Sequence, residues 1–333
     1  MKHLPALDGL RALAIAPVLA FHSFAPFAWG GFIGVDVFFV LSGFLITSLL
    51  SAELRATGRI ELLGFYKRRA LRLYPTLLLM LATFLVAAPH VWPHLPSWSY
   101  AAVSALYLTD YVRAFGGVRE VLSFTWSLAV EEHFYLLWPL VLPFVLKRAN
   151  PVRALLVAFA AATLWRLLNY AVFGWEPTYF RFDTRLSGIL LGSAIAMAPT
   201  LRLPRYASST ALAILALLAT APAFHEPLGM TVFMTAAEMC TSVVLLAVAQ
   251  QRRNWLLEQP VFGYIGRLSY GIYIWHFPLV YWLRDRYEWQ ITLAVGSGAA
   301  VLLAAATFHL IDLPLRRYRY KAVTTNQVEQ IAR

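Results

Sequence analysis

Runs of about twenty mostly apolar residues recur along almost the whole chain, and this feature restricts the fold more than any other. A helix needs ~20 such residues to cross the hydrocarbon core of a bilayer. An open sheet leaves backbone groups without hydrogen-bond partners in lipid, so helices are predicted. The sequence therefore predicts an all-α, polytopic membrane protein with about ten transmembrane helices. They fall near residues 7–26, 33–51, 73–90, 125–146, 154–173, 182–198, 208–223, 231–249, 268–284 and 289–311.

The composition agrees with this class. Hydrophobic residues make up 60% of the 333 residues and charged residues 14%, whereas a soluble domain has ~25% charged residues. A formal net charge of +11 would suggest nucleic acid in a soluble protein. In a membrane protein the same excess is typical of cytoplasmic loops, so no nucleic-acid partner is predicted.

The positions of Lys and Arg predict the topology. Most of them lie on the cytoplasmic side if both termini are cytoplasmic and segment 97–112 does not span, which makes that segment an extra short helix at the outer face. Residues 1–320 are then the membrane domain and residues 321–333 a short cytoplasmic tail, with no C-terminal soluble domain. Cys240 is the single cysteine. No Cys/His cluster has the spacing of a zinc site, so no metal is predicted.

The first predicted helix carries ionisable side chains along one face. Arg11 and His22 are eleven residues apart, which at ~3.6 residues per turn places them within about 20° of each other and ~16 Å apart along the axis. Asp36 begins the next span, and we expect its carboxylate beside His22, where it would orient the imidazole as a base. The alternatives are a structural histidine, an arginine that reaches the interface, and an aspartate that caps the second helix.

Two further segments bring charge close to the membrane. Arg69 and Arg72 are three residues apart on one predicted helix face and suit a phosphate or pyrophosphate, although anchoring of the cytoplasmic face explains the charge equally well. Glu131 and Glu132 lie in an aromatic, apolar segment. Adjacent acids cannot both face one way on a helix, so one of them is predicted to point inward and to serve in proton transfer.

Two later segments supply weaker candidates. Arg181 and Asp183 lie at the outer start of a helix, where an ion pair and a binding site are equally compatible with the pattern. Ser269 and His276 are seven residues apart, about two turns and ~10 Å along the axis. This separation is long for a Ser–His nucleophile pair, and packing or ligand contact is the favoured interpretation.

Taken together, the motifs resemble the large family of integral membrane acyltransferases, which includes O-acetylases of lipopolysaccharide, peptidoglycan and exopolysaccharide. The resemblance covers residues 4 to about 317. The matching motifs, in order, are Arg11 and His22 with ten residues between them, "GVDVFFVLSGFLIT", an Arg-x-x-Arg loop at Arg69 and Arg72, "WSLAVEEHFYLLWP", "RFD" at 181–183 and "SYGIYIWHFPL".

The resemblance implies transfer of an acyl group, usually acetyl, from cytoplasmic acetyl-CoA or another acyl-CoA to a hydroxyl of a glycan or glycolipid. It implies no metal and a location in the bacterial inner membrane among lipids, and a homodimer is compatible with it. The roles that follow are catalytic for His22, Asp36, Glu131 and Glu132, donor-binding for Arg11, Arg69 and Arg72, and acceptor-binding for Arg181, Asp183, Ser269 and His276. A proton-coupled transporter and a non-catalytic assembly partner are the competing interpretations.

Overall fold

The computed structural model describes residues 4–118, 120–198, 203–250 and 252–315, and the regular structure in these ranges is entirely helical. The predicted all-α class is confirmed. The predicted tail at 321–333 lies outside the described residues. In chain order the helices are α1 Pro5–His22, α2 Gly34–Thr57, α3 Leu62–Val91, α4 Ser97–Ala105, α5 Thr109–Ala114, α6 Trp126–Leu146, α7 Pro151–Phe173, α8 Trp175–Phe180, α9 Leu186–Met197, α10 Ala207–Thr220, α11 Met234–Ala249, α12 Pro260–Leu283 and α13 Trp289–Thr307.

Several of these helices are built to cross a bilayer. Within the described ranges, six helical stretches are both long and apolar enough to do so. They are Gly31–Thr57, Leu62–Val91, Ser123–Leu146, Pro151–Phe173, Gly229–Ala249 and Trp289–Leu315. Each of the ten predicted spans coincides with one helix, and the membrane class is thereby supported, whereas the count of ten transmembrane spans stays a prediction.

Two predicted spans are shorter in the structure. Helix α9 has 12 residues and α10 has 14, which correspond to ~18 and ~21 Å, less than the ~30 Å of a hydrocarbon core. The span predicted at 182–198 becomes helical only at Leu186 because the preceding segment forms a turn in which Arg181 pairs with Asp183. Apolar residues alone could not reveal where this turn ends.

The segment predicted as one short helix at 97–112 is divided into two. Helices α4 and α5 have nine and six residues, so neither can span a bilayer. They follow α3 at its C-terminal end, which is opposite to the end that carries Arg69 and Arg72. The expectation that this segment does not cross the membrane therefore agrees with the structure.

Helices α1 and α12 lie side by side and run in the same direction. Gly266 of α12 packs on the backbone of Asp8, where an added Cβ would lie 1.8 Å from the carbonyl oxygen. Near the other end of the pair, His276 reaches His22. We call the end of the bundle that holds Arg11, Arg69 and Arg72 the basic end, and the end that holds His22 the far end.

A buried ion pair joins α7 to α11. The guanidinium of Arg166 donates to Glu238 at 2.9 Å and to Ser187 at 2.8 Å, and Ser187 donates to the same carboxylate at 2.6 Å. Arg166 and Glu238 are 0% and 1% exposed. An ion pair in this environment holds two helices in one register but is sensitive to the loss of either partner.

We expect Glu238→Ala to lower the free energy of unfolding by about 3–5 kcal/mol, because it leaves the charge of Arg166 buried without a carboxylate. Thermal unfolding of the helical circular dichroism signal in detergent measures this loss. The matched control replaces both Arg166 and Glu238 by Met and should recover most of the stability. A double variant no more stable than Glu238→Ala would contradict the ion-pair explanation.

Candidate active site

An open cavity of about 750 Å³ enters the protein at the basic end, between α1, α2, α3, α6 and α12. Its wall combines three arginines and one glutamate with hydroxyl groups and apolar side chains. The lining residues are Arg11, Val35, Phe38, Phe39, Ser42, Leu45, Ile46, Arg69, Arg72, Leu73, Ser127, Leu128, Glu131, Tyr135, Ser269, Tyr270 and Tyr273.

The three arginines predicted to bind the donor meet in this cavity. Arg69 and Arg72 lie in helix α3 and not in a loop as the resemblance implied, and their spacing of three residues turns both toward the cavity. The guanidinium of Arg69 lies 5.2 Å from the ring centre of Tyr135. Arg11 donates to Asp8 at 3.1 Å. Among the described residues, no carboxylate forms an ion pair with Arg69 or Arg72, so both are available to an anion.

The two adjacent glutamates face different surroundings. Glu131 lines the cavity and accepts a hydrogen bond from Ser42, whose oxygen in turn accepts one from the Tyr135 hydroxyl at 3.0 Å. Glu132 does not line the cavity, and its Oε1 is buried without a hydrogen-bond partner in the described part of the chain. Glu131 is therefore the better placed of the two for contact with a ligand.

Tyr273 has hydrogen bonds both at its side chain, on the wall of the cavity, and at its backbone carbonyl, toward the far end. The hydroxyls of Ser127 and Tyr273 lie 2.6 Å apart. The backbone carbonyl of Tyr273 accepts a hydrogen bond from Nδ1 of His276 at 2.7 Å. Nε2 of His276 lies 2.9 Å from Nδ1 of His22. Tyr273 thus connects the basic cavity with a pair of imidazoles.

The hydrogen-bond partners determine the tautomers of this histidine pair. A carbonyl oxygen can only accept, so Nδ1 of His276 carries a proton and Nε2 of neutral His276 is a lone pair. His22 must then donate from its Nδ1, which leaves its own Nε2 unprotonated. The arrangement presents His22 Nε2 as a base, while His276 can stabilise the imidazolium that forms when a proton is taken up.

Asp36 does not orient His22, and that expectation was wrong. Its carboxylate accepts from Arg185 at 2.8 Å, and both side chains are about 1% exposed. The Arg185 guanidinium also lies over the rings of Tyr179, Phe39 and Trp126 at 4.8, 5.5 and 5.4 Å. Asp36 pairs with Arg185 because a guanidinium donates a charge-assisted hydrogen bond to a carboxylate. The hydrogen-bond acceptor for His22 is therefore His276 and not Asp36.

The residues predicted to bind the acceptor are separated in the structure. Ser269 lines the cavity, whereas His276 belongs to the histidine pair. Arg181 and Asp183 form an ion pair with each other, and Asp183 also accepts from Trp165 at 2.8 Å. These four side chains therefore do not form one acceptor site.

A fixed positive charge lies at the far end. Arg284 follows α12, and its guanidinium is 4.4 Å from the ring centre of Tyr281 and 4.9 Å from that of Phe24. The side chain of Arg284 is about one fifth exposed, and its Nε lies 4.0 Å from an oxygen of the Asp285 carboxylate. A guanidinium is a very weak acid, so Arg284 stays charged at neutral pH.

Sequence reasoning missed the roles of Ser42, Tyr273 and Arg185. The available signal was a set of polar residues at positions that face the interior of otherwise apolar helices. Such a signal marks candidates but does not show which of them meet.

Fold and site together define a polytopic helical membrane protein in which Tyr273 connects a basic cavity with a pair formed by half-buried His22 and buried His276. This chain belongs to the acyltransferase family whose family model, described as an acyltransferase domain, matches residues 4–310. The resemblance drawn from the motifs is thereby confirmed.

Two curated relatives place the chain within this family. It is 31% identical to the O-acetyltransferase OatA of Staphylococcus aureus (strain NCTC 8325 / PS 47), over 96% of this chain and 58% of the relative. It is also 31% identical to the peptidoglycan O-acetyltransferase OatA of Listeria monocytogenes, over 95% of this chain and 56% of the relative. The chain thus spans less than two thirds of either relative. No solved structure matches it significantly.

Proposed function

We propose that this protein is a membrane-embedded O-acyltransferase, which moves an acyl group, most simply acetyl, from a cytoplasmic acyl-CoA to a hydroxyl of an envelope or exported glycan. The observation that carries the proposal is that three arginines meet in a cavity also lined by Tyr273, whose backbone carbonyl accepts a hydrogen bond from the His22–His276 pair. Family membership supports the acyl transfer, and the name of the Listeria relative makes peptidoglycan a first acceptor to test.

We assign the acyl donor to the basic cavity. Arg69 and Arg72 supply charge for the diphosphate of coenzyme A, since guanidinium groups bind phosphate through paired hydrogen bonds. Apolar side chains such as Val35 and Phe38 line the same cavity and suit the uncharged arm that carries the thioester. Arg11 adds charge close to this pair, and Glu131 and Ser42 can hydrogen-bond the amide groups of the arm.

The histidine pair supplies the acid–base chemistry. His22 Nε2 takes the proton from the acceptor hydroxyl as its oxygen attacks the thioester carbonyl carbon. The carbon–oxygen bond forms, the carbon–sulfur bond breaks, and the proton passes from His22 to the leaving thiolate. His276 positions His22 and accepts its Nδ1–H throughout, which is the role that a carboxylate has in other histidine bases.

Purified protein in proteoliposomes tests the proposal. We expect acetyl-CoA and a glycan acceptor to give free CoA thiol and acetylated glycan in equal amounts, the latter measured by mass spectrometry. Uptake of a labelled solute driven by a proton gradient, with no thiol release for any acceptor, would instead support a transporter.

We expect His276→Leu to lower kcat by about 10²-fold or more, because His22 loses the acceptor that fixes its tautomer. His276→Gln keeps an acceptor oxygen in the side chain and should retain more activity than the Leu variant. The KM for the donor should change little in both, because His276 does not line the basic cavity. Equal activity of the two variants, or a loss confined to the donor KM, would contradict this role.

A further inference from the structure

A second and smaller cavity lies beside the first at the basic end. It holds about 390 Å³ of empty space, part of it open to solvent, and is lined by residues of α3, α12, α13 and the turns after α13, among them Arg72, Arg267 and Tyr270. Arg72 and Tyr270 line the larger cavity as well. The two cavities are therefore neighbours, and a single elongated ligand can contact both.

Arg267 gives this cavity a cation that the proposed mechanism does not use. Its side chain is exposed, and its guanidinium lies 5.7 Å from the ring centre of Tyr264. No ion pair joins Arg267 or Arg72 to a carboxylate anywhere in the described ranges. Two guanidinium groups at one small cavity without paired carboxylates favour a doubly charged anion.

One acidic side chain also lines the smaller cavity. Asp312 accepts a hydrogen bond from Thr76 at 3.3 Å, and it has a further interaction beyond this one. Among the described lining residues the two arginines outnumber this carboxylate. The site thus keeps a net positive charge, while Asp312 limits how closely an anion can approach the side of the cavity formed by the end of α13.

We infer that Arg267, together with Arg72, binds a phosphomonoester group, and specifically the phosphate on the ribose of the acyl donor. This inference rests on the proposed function, because coenzyme A carries its phosphates at two places. One is the diphosphate next to the pantetheine arm, and the other is a monoester on the ribose. The larger cavity suits the first and the smaller cavity the second. A phospholipid headgroup at the membrane surface also carries an anionic phosphate, although as a singly charged diester, and is the competing source of the phosphate.

Acetyl-CoA and its analogue without the ribose phosphate provide the test. We expect the wild-type protein to use acetyl-CoA with a kcat/KM about 10- to 100-fold higher than the analogue, since hydrogen bonds to charged groups contribute on this order. Arg267→Gln should lower kcat/KM for acetyl-CoA to the level of the analogue and leave the value for the analogue unchanged. Arg253→Gln is the matched control, because Arg253 is exposed, lies shortly before α12 and lines neither cavity.

Other results would overturn the inference. The wild-type protein could use both donors equally well, or Arg267→Gln could reduce kcat/KM for both by the same factor. The same variants in phosphatidylcholine vesicles, with and without phosphatidylglycerol, test the lipid. If Arg267→Gln removes only a dependence on phosphatidylglycerol, the phosphate belongs to the lipid and the assignment to the donor is wrong.

Direct binding separates this inference from the proposed function. If the wild-type protein transfers no acyl group to any acceptor, the proposed function fails. Calorimetric titration with CoA and with dephospho-CoA still measures the affinity of the site for the ribose phosphate. Tighter binding of CoA than of dephospho-CoA, with the difference lost in Arg267→Gln, supports the phosphate subsite. Equal affinities of the wild-type protein for the two compounds overturn it.

Discussion

Replacement of His22 by alanine should lower kcat by about 10²- to 10⁴-fold, the range that a general base contributes. His22 is the imidazole whose Nε2 remains unprotonated when Nδ1 donates to His276 at 2.9 Å. The half-buried side chain lies at the end of α1, so its removal leaves the helix interior intact. Release of CoA thiol and formation of acetylated acceptor should fall together in purified protein.

His94→Ala is the matched control for this experiment. His94 is exposed, interacts with Glu120 at 3.3 Å and lies outside both the cavity and the histidine pair. Its replacement should leave kcat within twofold of the wild type, and both variants should keep the wild-type helical content in detergent. Near-normal transfer by a folded His22→Ala protein would remove His22 from the mechanism.

Replacement of both Arg69 and Arg72 by alanine should lower kcat/KM for the acyl donor by about 10²-fold or more, mainly through KM. Each guanidinium is expected to contribute a charge-assisted hydrogen bond of about 1.5–3 kcal/mol to a phosphate, and each 1.4 kcal/mol corresponds to a tenfold change. Both side chains line the cavity, and no ion pair within the described structure competes for them. Initial rates over a range of acetyl-CoA concentrations measure the effect.

The neighbouring basic residues provide a charge-matched control. Lys67 and Arg68 lie in the same helix, but neither lines the cavity, and Arg68 pairs with Glu53 at 3.6 Å. Replacing these two by alanine removes the same charge and should leave the donor KM nearly unchanged. An equal rise of KM in both double variants would show that the cluster acts by general attraction, and an unchanged KM in the Arg69 and Arg72 variant would reduce that pair to membrane anchors.

Short-range spacing predicted much of the candidate site. Arg69 and Arg72 are three residues apart, so the geometry of one helix turns them the same way, and the structure places both in one cavity with Arg11. Because adjacent residues on a helix point in different directions, Glu131 lines the cavity and Glu132 does not. Both arrangements depend only on the pitch of a single helix, which is why spacing in the sequence could indicate them.

Contacts between helices were harder to predict. Asp36 was expected beside His22 because the first two spans form a hairpin, yet it pairs with Arg185, which is 149 residues away in the sequence. His22 meets His276, which is 254 residues away. Proximity along the chain restricts which helix ends are near each other, but it does not determine which side chains face each other across an interface.

Close contacts at glycines show how helix packing determines which side chains face each other. An added Cβ on Gly43 would lie 1.9 Å from the carbonyl oxygen of Ile189, and one on Gly192 would lie 2.0 Å from that of Val40. Helices α2 and α9 therefore approach closely enough for their backbones to touch. This contact holds α9 against α2 and brings Arg185, just before α9, next to Asp36.

The sequence by itself determined the membrane class, the helical secondary structure and the family, because long apolar runs and local motifs are properties of neighbouring residues. Only the tertiary structure decided that a histidine and not a carboxylate supports His22, that Asp36 belongs to an ion pair, and that Arg72 borders two cavities. The physical reason is that a helix fixes the direction of its own side chains, whereas their partners are fixed by how whole helices pack against one another.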